Sequence, residues 1–138
     1  MKAIISIAAL KFLLISCEGP SEPTIQNLII GSWQLKVVSG GFDGITDTLN
    51  PKVNNVIYVF NTQSEINIFT NQENTFSEKY YLYKNKDNSV WEMKLDKYKK
   101  SDGDVPNYFS ILKINSKELS FADQGYDMYS YKLEHLSF

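Results

Sequence analysis

The sequence predicts an all-β domain, an eight-stranded antiparallel up-and-down barrel entered through one short helical turn. Three observations predict it. Apolar and aromatic residues recur in short segments, several alternating with polar ones at the period of two that a half-buried strand requires. Polar stretches, many of only three or four residues and rich in Asn, Ser, Asp and Gly, separate most of these segments, which favours pairing between sequential neighbours. Nine Tyr, eight Phe and two Trp among 138 residues supply the β-prone, bulky side chains of an aromatic interior. A run of eight such strands can close on itself and remove both sheet edges. A two-sheet sandwich is the competing arrangement.

The first segment lies outside this domain. Lys2 provides a positive charge, and residues 3–15 form a mostly apolar run interrupted by Lys11. That run is shorter than the roughly 20 residues a membrane-spanning helix needs, so it reads as an export signal. It ends at Leu14-Ile15-Ser16-Cys17, and Glu18-Gly19-Pro20-Ser21-Glu22-Pro23 then rules out continuation as a core helix. Leu14-Ile15-Ser16-Cys17 resembles the bacterial lipobox. The resemblance implies diacylglyceryl transfer to the Cys17 thiol and cleavage before it, making residues 1–16 a signal peptide. The bland alternative is a free cysteine behind an apolar stretch. Two or three acyl chains, at about 0.8 kcal/mol per buried methylene, would hold the protein at a membrane where a single chain binds only marginally. A bacterial cell envelope is the expected location, with the outer membrane favoured and the face left open.

Residues 17–24 form a tether kept irregular by Pro20 and Pro23. The domain, residues 25–138, begins with Ile25, Leu28 and Ile29, whose spacing presents one apolar face of a single helical turn. After Gly31 the period becomes two: Trp33, Leu35 and Val37 alternate with Ser32, Gln34 and Lys36. Residues 39–55, with three glycines and Pro51, read as a long loop of the kind that binds or moves. Strands are then predicted over 56–60, 65–69, 76–83, 90–95, 108–114, 118–121 and 126–136.

Leu28-Ile29-Ile30-Gly31-Ser32-Trp33-Gln34-Leu35 resembles the Gly-x-Trp opening of the lipocalins. That resemblance implies that Ile25–Ile30 is the turn before the first strand, that Trp33, with Gly31, closes one barrel end, and that residues 39–55 partly cover the other. The late Arg that stacks on this Trp in the family has no counterpart here, because the chain contains no Arg. Lys132 is the expected substitute, by a weaker cation–π contact. The family's Thr-Asp-Tyr motif is also absent.

Composition narrows function mainly by exclusion. The net charge is −2, and two of the 14 Lys lie in the leader, so the domain itself is more acidic and a poor partner for nucleic acid. Without Arg, bidentate phosphate or carboxylate recognition is lost. The single Cys is committed to the anchor and the single His, His135, lies near the C-terminus, so a nucleophilic triad or a His/Cys metal site is not expected. Asp102-Gly103-Asp104 lacks EF-hand spacing and reads as a solvated turn, and no phosphate loop follows a strand. No cofactor and no enzymatic activity are expected.

What remains is binding. Inward-facing residues line any barrel cavity. The candidates are Leu35 and Val37 on the first strand, Trp91 and Met93 (with Leu95) in the middle, and Tyr129 and Tyr131 (with Leu133) on the last. A small hydrophobic ligand is the leading expectation. The rival is a fully packed barrel acting as a protein-interaction module, an envelope inhibitor or assembly accessory, through the long loop or through outward members of the Tyr80, Tyr81, Tyr83 and Tyr98 cluster. The protein partner is left unnamed.

Overall fold

Local turn chemistry divides this chain into strands. The computed structural model describes residues 23–96, 108–124 and 128–137, so Cys17, Tyr98 and Asp102-Gly103-Asp104 lie outside the described residues. Asn61 Oδ1 accepts the backbone N–H groups of Gln63 and Glu65, and Asn115 Oδ1 accepts those of Lys117 and Glu118. Asn85 and Asn88 do the same for Asp87 and Val90. Each side chain thereby replaces a ladder partner and reverses the chain, the usual reason for Asn at such positions.

One short helix, α1 (Ile25–Ile29), precedes nine strands among the described residues: β1 (Gly31–Gly40), β2 (Ile45–Thr48), β3 (Val56–Phe60), β4 (Glu65–Thr70), β5 (Glu73–Lys84), β6 (Trp91–Leu95), β7 (Tyr108–Ile114), β8 (Glu118–Asp123) and β9 (Tyr129–His135). All pairings are antiparallel between neighbours, and β9 pairs back onto β1 to close the sheet. The closed ring therefore holds eight strands, β1 and β3 to β9, as the sequence predicts. The helical turn is also where the spacing puts it, with Ile25 and Ile29 buried.

The ninth strand is a departure. The stretch 39–55, read from the sequence as a loop, contains β2, which pairs with residues 37–40 of β1. All four of its residues are exposed and only Ile45 is apolar, so no alternation announces it. It forms because Gly40, Gly41 and Gly44, at φ +136°, +76° and +60°, turn the chain back on itself and Gly44 N–H closes onto Gly41 C=O at 3.0 Å. Residues 31–34 of β1 pair with β3 and residues 37–40 with β2, while β9 follows the other edge along both halves. Between β4 and β5 the turn is tighter than expected. Asn71 and Gln72, both at positive φ, join Thr70 to Glu73 directly, the two-residue geometry that suits strand twist.

Bulges decide which side chains face in. Opposite β9, β1 shifts register between Leu35 and Val37. Leu35 pairs with buried Leu133, but beyond the shift Val38, not Val37, pairs with Tyr131 and packs on the core. The expectation of Val37 inside is thus corrected: it pairs with exposed Lys132, because one extra residue reverses alternation. In β7 a similar shift lets Ile111 and Ile114 both reach the core while Leu112 is left exposed.

The barrel end that receives α1 is filled solid. Trp33, Ile29, Leu119 and Leu133 have no exposed surface. Trp33 Nε1–H donates to Ile29 C=O at 2.8 Å, tying helix to strand. His135 sets its ring edge-on to Trp33 at 4.8 Å between centroids. Lys132, the expected partner of Trp33, is instead on the outer face, 3.6 Å from Glu118. On β9 it has outward parity, one residue from each of the inward-facing Tyr131 and Leu133. Gly31 makes the His135 contact feasible: a Cβ there, at φ +142°, would lie 2.6 Å from His135 Nε2.

Candidate functional site

Above the packed floor the interior is incompletely filled. A cavity of about 200 Å³ remains, walled by residues of seven strands, β3 to β9. Five rings supply most of the wall: Tyr58 from β3, Phe76 from β5, Phe109 from β7, Phe121 from β8 and Tyr131 from β9. Ile66, Ile68, Met93, Leu95 and Thr75 complete it.

Each ring is placed by strand parity. Tyr58 shares the inward side of β3 with Phe60, and Phe121 that of β8 with Leu119. Phe76 reaches inward opposite Ile68, in alternation with buried Tyr80, and next to it β5 carries an extra residue, Thr75. Thr75 Oγ1 donates to Ile68 C=O at 3.1 Å, occupying a carbonyl at the irregularity. Phe121 is the centre of the ring array. Tyr131 stacks on it at 5.2 Å, while Phe109 and Tyr58 meet it edge-on at 5.6 and 6.0 Å. Such offset and edge contacts are each worth roughly 0.5–1.5 kcal/mol beyond burial, so the array is a rigid wall.

Of the residues the sequence singles out, Met93 and Tyr131 are in this wall, as is Leu95. Leu35 is buried in the core without forming part of it, and Trp91 packs against the core half-buried. Tyr129 sits at the rim opposite Gly40, its backbone N–H donating to Asp123 Oδ1 at 2.6 Å. Val37 is outside for the reason given above. Trp33 and Gly31 belong to the floor. Sequence reasoning did not single out Tyr58, Phe76, Phe109 or Phe121. Alternation with Phe60, Tyr80, Ile111 and Leu119 was the available signal for them.

A polar cluster built around the buried Glu92 lies on the outer side of the sheet. Tyr83 O–H donates to Glu92 Oε2 at 2.5 Å and Asn85 Nδ2–H to Glu92 Oε1 at 2.7 Å. These bonds hold the Glu92 carboxyl below its ordinary range, Tyr83 contributing most. Burial first, then the bond to Glu92, pushes the Tyr83 hydroxyl well above its own. Gln124 Nε2–H extends the network to Ser110 Oγ at 2.9 Å. Every residue here is engaged within the cluster, which locks β5, β6, β7 and the end of β8 together. Of the tyrosines in the middle hairpins, Tyr80 is buried inside, Tyr83 is in this cluster and Tyr81 is half exposed.

Among the described residues no group of three or more His, Cys, Asp or Glu side chains could hold a metal ion, and no helix is long and apolar enough to cross a membrane. No family model matches the chain, and no curated protein or solved structure matches it either.

Proposed function

We propose that this protein is a lipid-anchored lipoprotein of a bacterial envelope, lipocalin-like in plan, whose barrel binds a small hydrophobic ligand. The observation that carries the binding reading is the aromatic cavity of about 200 Å³ above a solid floor. A barrel of eight strands has room either for packed side chains alone or for one small ligand, and unfilled apolar volume inside an otherwise close-packed domain favours the second. The reading is of a binding protein, not an enzyme. The anchor rests on Lys2, the apolar run and Leu14-Ile15-Ser16-Cys17. On this reading the tether joins the barrel at its plugged end, through α1, and leaves the opposite rim farthest from the lipid.

Native mass spectrometry of the protein extracted from its envelope tests the ligand reading. A stoichiometric small-molecule adduct is the expected result, and bare protein alone contradicts it. For the anchor, Cys17→Ser should abolish acyl-chain labelling and leave the precursor uncleaved; a labelled mutant overturns that part.

One observation favours a second reading, a protein-interaction module. Phe42, Ile45 and Met128, 97%, 64% and 61% exposed, are gathered at the open rim by the β1–β2 hairpin and by the Gly41 N–H bond to Met128 C=O. Exposed apolar groups that cluster, unlike scattered ones, mark contact surfaces. In-cell cross-linking through a photoreactive residue at Phe42 would support this reading by trapping one protein partner.

A further inference from the structure

The cavity wall restricts the ligand further than "small and hydrophobic", and this inference rests on the binding reading above. We infer that the ligand is a compact, uncharged molecule of one or two rings, a simple phenol or an indole by chemical class, and not an acyl chain or a cation.

Size comes first. Drug-sized ligands occupy pockets of about 300–1,000 Å³, and this cavity is about 200 Å³. A dry cavity of about 150 Å³ holds benzene, so the same packing leaves room for roughly eight non-hydrogen atoms. A long acyl chain would need to run down the barrel axis. That path is closed, because Trp33, Leu119 and Leu133 below the cavity are fully buried and Phe60 is only 1% exposed.

Shape and polarity agree with size. The array around Phe121 presents ring faces and ring edges at fixed angles, with Tyr131 nearly parallel to it and Phe109 and Tyr58 steeply inclined. A flat ring can meet both kinds of surface by stacking and edge contact, whereas a flexible chain would gain only area and lose rotamer freedom. None of the ten wall residues carries a charge, so a carboxylate or ammonium entering the cavity would be desolvated without an ionic partner. Glu78 has inward parity on β5, between Phe76 and Tyr80, but is not in the wall and is already engaged. The only polar side-chain groups in the wall are the hydroxyls of Tyr58, Tyr131 and Thr75, which suit a ligand with one or two hydrogen-bonding atoms. A hydroxyl donates one bond and accepts others, so each of the three can meet a ligand atom besides the contact it already makes.

Titration calorimetry of the full-length chain with p-cresol, indole, decanoate and phenyltrimethylammonium tests this directly. p-Cresol and indole should bind one to one, the other two at least about tenfold more weakly. Ile68→Phe, which fills the cavity, should lower p-cresol affinity at least about tenfold while the cooperative melt is retained. Tyr131→Phe keeps the ring and should weaken p-cresol but not toluene, so the inference can be tested even if Ile68→Phe does not fold. Decanoate binding more tightly than p-cresol and competing with it would overturn the compact-ring class and leave the binding reading intact. Phenyltrimethylammonium binding as tightly as p-cresol would overturn the uncharged class. If no probe binds, or if p-cresol binding survives Ile68→Phe unchanged in a folded variant, both the inference and the binding reading fail.

Discussion

The two halves of the barrel interior are built from similar residues and packed differently. In the floor, Trp33, Phe60, Ile29 and Leu133 interlock, with the Trp33 indole N–H satisfied by Ile29 and its face held by the His135 edge. Above it, Tyr58, Phe109, Phe121 and Tyr131 lock each other into a ring array that lines unfilled space. The difference lies in what fills the middle. The floor receives a helix from outside the sheet, whereas the upper half has only its own strands to draw on. Aromatic content alone therefore does not distinguish a packed barrel from a hollow one.

The largest expected effect tests the floor. Trp33→Ala removes a fully buried side chain and its hydrogen bond, and should cost about 3–5 kcal/mol of unfolding free energy in a urea titration. Next is a matched pair of enlargements. Ile29→Phe must force its way into a site with no exposed surface and should cost about 1–3 kcal/mol. Ile68→Phe adds the same atoms beside the cavity and should be close to neutral in the same assay. Equal costs for the two would erase the contrast between the halves. Gly31→Ala should cost roughly 1–3 kcal/mol, because an L residue is strained at φ +142° and its Cβ meets His135. The accompanying change in Trp33 fluorescence would report displacement of the His135 ring.

A smaller effect concerns pH. Glu92 has a lowered folded-state pKa, so its contribution is present above the unfolded carboxylate value near 4.3 and is lost as pH falls through the folded value. Wild-type stability should therefore decline below about pH 4, and Glu92→Gln should flatten that decline while leaving a lower plateau at pH 7. Denaturant midpoints measured from pH 2.5 to 7 check it; parallel curves for the two proteins would remove Glu92 from the account.

Much of this architecture was legible in the sequence, and the failures have physical causes. Alternation located the eight ring strands because a barrel wall has one wet and one dry face, and the same alternation placed Met93, Leu95 and Tyr131 correctly. It failed at Val37 because the bulge after Leu35 inverts parity without any signal in composition. β2 was invisible because none of its residues is buried. In a chain without Arg, Lys132 is the expected partner of Trp33, but position on the strand decides otherwise: His135 shares inward parity with Leu133, and Lys132 does not. The cavity itself depends on how five rings mesh across strands distant in sequence, and no local pattern encodes that.

The most direct test uses the chain's few methionines. Met93, 2% exposed, is in the cavity wall, whereas Met128, 61% exposed, is at the rim. In a methyl-labelled sample titrated with p-cresol, the Met93 resonance should move saturably under the ring current of the bound ligand while Met128 stays in place. A Met93 resonance that does not move while Met128 shifts would place the ligand on the surface and contradict a hollow, ligand-binding barrel.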